Sequence, residues 1–179
     1  MTGDDSKTTE YKLSFSANGG NGTIASISAE EESEITLPEN AFTKSGYIFA
    51  GWATSADGNV SYSDKAKISI TGNITLYAKW TAITYTITYE PNGGTNADGN
   101  PASYTSETET ITLLAPSREY FDFGGWYTDS EFSDSSRKTE IAKGSSGNIT
   151  LYVKWTVAAE NAVNAINSLP TGEHKIAVT

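Results

Sequence analysis

Ten residues, GNITLYAKWT at 72–81, return as GNITLYVKWT at 147–156 with a single difference, Ala78 against Val153. A repeat this faithful means that the chain builds one unit twice, and a unit of about seventy residues buries only about 60% of its unfolded surface and is marginal alone. Each copy reads as a strand entered through a turn, because Gly-Asn tolerates positive φ and a run of β-branched and aromatic residues follows. Side chains alternate across a strand. Ile74, Leu76, Ala78 and Trp80 therefore share one face, while Thr75, Tyr77 and Lys79 share the other. Ile149, Leu151, Val153 and Trp155 repeat the apolar face, and Tyr152 and Lys154 the polar one.

The strand closes a longer pattern. YKLSFSANGG from Tyr11 is answered by YTITYEPNGG from Tyr85, each alternating and each ending in an Asn-Gly-Gly turn signal. TIASIS (23–28) is read as the returning strand, the acidic run Glu30–Glu34 as a solvated turn, and Ile35-Thr36-Leu37-Pro38 as the close of that hairpin. Residues 38–45 are assigned one short helical turn, and Val60–Tyr62 a short strand after the Asp57-Gly58-Asn59 turn. YIFAGWAT (47–54) is matched by FDFGGWYT (121–128), and ITLP by ITLLAP (111–116).

Comparing the copies separates the faces. Ile48 stands where the second copy has Asp122, so that side meets solvent, and Tyr47, Phe49, Phe121 and Phe123 form the core side. Strict alternation would expose Trp52 and Trp126. A bulge at the preceding glycine returns them to a packing role, since a fully exposed Trp is unusual.

Ala82, Ile83 and Thr84 join the copies, and Ile83 continues the alternation of Tyr85, so the joint is expected to be strand and not floppy linker. The expected organisation is a flexible lead-in (1–10), module 1 (11–81), module 2 (82–156) and a partial helix–strand unit (157–179) opening a third module. In that tail Ala159, Ala162, Val163, Ile166 and Leu169 recur at helical spacing before Pro170-Thr171-Gly172. With so short a joint, the modules are expected to lie roughly end to end.

Composition excludes several functions. A net charge of −10 opposes binding to nucleic acid or anionic membrane. No apolar run approaches the 18 residues or so of a membrane span. Without cysteine, neither disulfides nor thiolate metal sites can staple the modules, so stability must come from the six Phe, ten Tyr and four Trp. The polar start after Met1 suggests a piece of a longer protein whose export signal lies elsewhere.

Catalytic chemistry finds little support. His174 is the only histidine and stands in the tail without a nucleophile beside it. Glu34, Asp57 and Asp64 have no counterparts in the second copy, so a duplicated carboxylate pair is not expected. The oxygen-rich loops 129–134 and 96–100 lack calcium-loop spacing and read as turns. No cofactor and no metal ligand is expected. Binding is the remaining class: Tyr77 with Lys79, and Tyr152 with Lys154, lie opposite the core, and Trp52 and Trp126 are further candidates for contact with a partner. The competing reading is that these tyrosines only support cross-strand pairs.

Together the NGG strand, the GW segment and the closing ITLYxKW, each twice and in order, resemble the Listeria–Bacteroides repeat, also called the internalin B-type repeat. The likeness covers nearly all of 11–156. It implies an α+β, mainly β fold: two tandem small β-grasp-like modules, each a mixed sheet crossed by one short helix or turn. It also implies a non-catalytic segment of a bacterial cell-surface or secreted protein, a monomeric spacer that contacts a protein partner or host-cell ligand. A carbohydrate-binding module using exposed aromatics is the alternative, and a glycan-active enzyme fragment ranks third. The second copy departs in having Tyr120 where the first has Gly46, and in its long 94–111 loop. The tail resembles the lead-in to a leucine-rich-repeat region of bacterial surface proteins.

Overall fold

The computed structural model describes residues 8–157, together with 161, 162 and 164. The tail unit expected at 157–179 otherwise lies outside the described residues, as does His174. The chain divides into two compact units, Met1–Ile83 and Thr84–Thr179.

In the first unit six strands form: β1 (Glu10–Ser16), β2 (Ile27–Glu30), β3 (Glu34–Thr36), β4 (Tyr47–Ala53), β5 (Lys67–Ser69) and β6 (Ile74–Ala82). The main sheet runs β2-β1-β6-β4. Its first and last strands, β1 and β6, pair in parallel at the centre, Leu13 opposite Ile74 and Phe15 opposite Leu76. Both outer strands are antiparallel to their neighbours. This is the expected β-grasp-like mixed sheet.

Local chemistry explains why the repeated turn residues recur. Asn18 and Gly19 take φ of 47° and 84°, and Gly20 N–H donates to the Ala17 carbonyl at 3.0 Å, a type I′ turn. The Asn18 amide then reaches across to the Ala78 carbonyl at 3.0 Å. At the far end of the parallel pair, Asn73 Oδ1 accepts from Lys12 N–H at 2.8 Å and so extends the ladder with a side chain. Asn92 and Asn148 do the same for the second unit, bonding the Val153 carbonyl and Thr86 N–H.

Several expectations need correction. The returning strand is not 23–28 but β2, four residues later, because Asn21 pairs with Thr43 instead of with β1. Ile35 finds its partner in Ile68 of β5, in a separate two-stranded ribbon, so ITLP does not close a hairpin. No helical turn forms at 38–45. Asn40 binds both the N–H and the carbonyl of Phe42, each at 3.0 Å, and offers the backbone an alternative to helix. Val60–Tyr62 makes only an isolated bridge, Tyr62 to Trp52.

Trp52 is the centre of the first core, 0% exposed and met edge-on by Phe49 (4.9 Å), Phe15 (5.2 Å) and Phe42 (6.0 Å). Its inward position comes from a bulge: Phe49 pairs with Trp80, then the register slips and Gly51 pairs with Lys79. Gly51 has φ of 140°, outside the range of ordinary side chains, which is why glycine precedes the Trp. Tyr47 and Phe121 stop short of the core. Lys44 Nζ lies 4.1 Å from the Tyr47 ring centroid, and the Arg118 guanidinium 4.0 Å from that of Phe121. Ile48 is exposed, as the comparison with Asp122 implies.

The second unit comprises β7 (Tyr85–Glu90), β8 (Ser103–Tyr104), β9 (Ile111–Thr112), β10 (Phe121–Tyr127), β11 (Arg137–Lys138), β12 (Glu140–Ile141) and β13 (Ile149–Val157). A 3-10 turn, Asp134–Ser136, precedes β11. The sheet runs β11-β10-β13-β7-β8, with β7 and β13 parallel at its centre, and β9 and β12 form the ribbon. The long loop shrinks the outer hairpin strand to two residues, Tyr104 opposite Tyr85. Tyr120 adopts φ of 68° where Gly46 has 79°, so the turn survives the loss of glycine at a cost in strain.

Candidate interaction surface

With the cores facing the ribbons, the opposite face of each sheet holds the polar row of its closing strand. In the first unit Tyr77 sits between Ser16 of β1 and Ala53 of β4. Lys79 faces Gly51 at the bulge, and its Nζ donates to the Ala56 carbonyl at 3.2 Å, an oxygen that also accepts from the Asn18 amide at 2.9 Å. The Lys79 ammonium is thus tied to the 54–58 loop.

Matching positions in the second unit look different. Tyr152 sits between Glu90 of β7 and Tyr127 of β10. The Tyr127 ring meets Phe132 edge-on at 5.5 Å, and Lys154 Nζ lies 5.7 Å from the Tyr127 centroid. Arg137 pairs opposite Tyr127 on β11. Where the first unit has Ala53, the second builds an aromatic group edged by two cations. Phe132 is held over the sheet by φ of 57° in a turn that Asp129 organises. The Asp129 carboxylate accepts from Ser133 N–H at 3.2 Å and from the Ser133 hydroxyl. The hydroxyl bonds of Ser133 and then Ser136 hold its pKa below the ordinary aspartate value.

Among the sequence candidates, Tyr77, Lys79, Tyr152 and Lys154 are half-buried on this face. Trp52 and Trp126 do not join them: at 0% and 1% exposure they are core residues and offer no surface to a partner. The bulge that turns them inward is the reason. Tyr127, Phe132 and Arg137 were not among the candidates. The exchange of Ala53 for Tyr127 is visible in the aligned GW segments, but its face depends on the bulge.

Two of the three carboxylates that stand out in the first copy, Glu34 and Asp64, are engaged in structural bonds. Asp64 accepts from Asn40 N–H at 2.9 Å, and Glu34 forms an exposed ion pair with Lys67 at 2.6 Å. In the 96–100 loop, the Asn100 amide bonds Asn96 at 2.8 Å and both the N–H and the carbonyl of Leu114, at 2.8 and 3.0 Å. That loop is turn and strand-edge chemistry.

Two successive mixed-sheet units with this turn, bulge and closing strand define a tandem β-repeat segment. The family model of the Listeria-Bacteroides repeat domain matches residues 11–79 and 85–154, and the chain belongs to that family. A Gly-rich membrane protein of Evansella cellulosilytica is 32% identical over 149 residues, 83% of this chain and 16% of that protein. A second membrane protein of the same organism is 34% identical over 82% of this chain and 21% of its own length. Internalin H of Listeria monocytogenes is 29% identical over 92% of this chain and 29% of its own length. The chain thus spans under a third of each of these relatives. No solved structure matches it.

Proposed function

We propose that this chain is a non-catalytic repeat segment of a bacterial cell-surface protein, a semi-rigid spacer that also offers a contact face to a protein partner or host-cell ligand. The observation that carries the reading is the half-buried pair Tyr152 and Phe132, backed by the buried Tyr127 ring and flanked by Lys154 and Arg137 on the outer face of the second sheet. Tyr, Phe and Arg are among the residue types enriched in protein contacts. The membrane-protein and internalin names of the relatives support a setting at the cell surface. Ile83 and Thr84 alone separate β6 from β7. The structural bonds of Asp64 and Asp129 support a non-catalytic reading.

Adhesion of beads displaying the whole chain to host cells tests the contact role. Binding lost with Tyr152→Ala or Lys154→Ala supports it, and binding that ignores both variants removes the face from consideration. The half-buried rings of Tyr152 and Phe132 also favour a second reading, stacking on a sugar. A glycan array that scores positive, and loses signal with Tyr152→Ala, would assign the face to carbohydrate. Small-angle scattering tests the spacer: a broad spread of lengths would contradict a stiff joint.

A further inference from the structure

Three Asn-Gly steps punctuate the chain, Asn18–Gly19, Asn21–Gly22 and Asn92–Gly93, and they sit in two different chemical situations. We propose that Asn21–Gly22 is a site of spontaneous modification, losing its side-chain amide to give aspartyl and isoaspartyl linkages, while the other two steps are protected by the fold.

The reaction needs no enzyme. The Gly22 backbone nitrogen attacks Cγ of Asn21, forming a C–N bond and a five-membered imide, while the Cγ–Nδ2 bond breaks and ammonia leaves. Water then opens the ring at either carbonyl, giving aspartate or isoaspartate at position 21. Glycine at 22 matters because no Cβ obstructs the approach of the nitrogen. The asparagine side chain must also be free to swing onto its own backbone.

That freedom separates the three sites. The Asn18 amide is held twice, by the Ala56 carbonyl at 2.9 Å and the Ala78 carbonyl at 3.0 Å. The Asn92 side-chain amide donates to the Val153 carbonyl at 2.7 Å, and the Asn92 main-chain carbonyl accepts from Arg118 Nη1 at 2.9 Å. Reaction at either requires breaking bonds that anchor the turn to the closing strand. Asn21 is different: it is exposed, and among the described residues no hydrogen bond holds its side chain. Only its backbone is engaged, through Thr43, at 2.7 and 3.0 Å.

A consequence follows for one unit alone. An isoaspartyl link adds a carbon to the main chain at the bridge from Asn21 to Thr43. That bridge sits next to Phe42, which packs on Trp52 at 6.0 Å. The second unit has Thr95 at the equivalent bridge, opposite Ser117, and has no amide to lose there. At this bridge, ageing of this kind is possible in the first unit alone.

The whole chain, incubated in mildly alkaline buffer and sampled over weeks, is digested and mapped by mass spectrometry for amide loss. Asp57–Gly58 and Asp98–Gly99 carry no amide and are silent in this readout. Amide loss is expected first at Asn21, and slower by about tenfold or more at Asn18 and Asn92, since one or two hydrogen bonds must open at each. A urea-denatured sample should lose the amide at all three. The Asn21→Thr variant, which installs the residue of the second unit, should remove the early product. Equal rates at the three sites in the folded chain, or an unmodified Asn21 while Asn18 or Asn92 reacts, would overturn the proposal.

Discussion

The indole of Trp80 lies against Gly20 so closely that a methyl group there would stand 2.8 Å from Trp80 Cζ2 and 2.7 Å from the Thr43 carbonyl oxygen. Trp155 and Gly94 repeat the contact still more tightly at Cζ2, with 2.7 Å to the Ser117 carbonyl oxygen. Each indole also donates its N–H at 2.9 Å to the residue that opens the turn, Ala17 or Pro91. The last Trp of each closing strand therefore clamps the Asn-Gly-Gly turn, and the second glycine is there for space.

Gly20→Ala and Gly94→Ala should each cost about 1–3 kcal/mol, the usual penalty of overpacking, and only in their own unit. Urea unfolding followed by amide exchange, which resolves the two units, measures this. An unchanged midpoint for either variant would show that the indole moves aside freely.

The two buried tryptophans should respond differently to the same change. Trp126 Nε1 donates to the Leu114 carbonyl at 3.0 Å, whereas Trp52 Nε1 is buried with no acceptor among the described residues. Trp126→Phe should cost about 1 kcal/mol more than Trp52→Phe, because only the former breaks a hydrogen bond. Equal losses in thermal or denaturant unfolding would count against that assignment.

Tyr120 holds a left-handed conformation that glycine adopts without strain. Tyr120→Gly should stabilise the second unit by about 0.5–1 kcal/mol, and Gly46→Ala should destabilise the first by about 1 kcal/mol. Opposite signs in the two melting temperatures are the expected result, and a destabilising Tyr120→Gly would mean that the tyrosine's packing outweighs its strain.

Alkali should unfold the second unit first. Burial raises the pKa of Tyr89 above 10.0, and burial together with neighbouring Tyr85 raises that of Tyr104. Their hydroxyls donate to the Pro101 and Gly147 carbonyls at 3.0 and 2.6 Å. Since the unfolded chain ionises first, the stability they contribute is complete below about pH 10 and is lost as pH rises through the folded pKa values. Tyrosinate absorbance recorded alongside amide exchange reports the order, and earlier loss of the first unit would contradict it.

Much of this architecture is legible in the sequence, because a repeat shows the same face twice. Alternation places Leu76, Ala78, Leu151 and Val153 in the cores, and the glycine before each Trp signals the bulge. What could not be read was pairing at long range. The β3–β5 ribbon joins short segments thirty-odd residues apart, and neither Ile35 nor Ile68 carries a mark of its partner. The helical turn at 38–45 fails for a local reason, the Asn40 side chain. For the outer face the sequence supplies Tyr152 and Lys154 but not Tyr127 and Phe132, whose orientation depends on the bulge and on a left-handed turn.

The central parallel pairing has a mechanical meaning. In each unit the chain enters at the start of one middle strand and leaves at the end of the strand beside it, both running the same way. A pull on the two ends therefore drags β1 against β6, and β7 against β13, along their length. All the ladder bonds between them bear the load together, in shear, and none can open one at a time as in a zipper. Stretching single molecules should show two separate rupture events of comparable force, and gradual extension without peaks would argue otherwise. A tether assembled from such units resists being drawn out under flow until a whole sheet gives way.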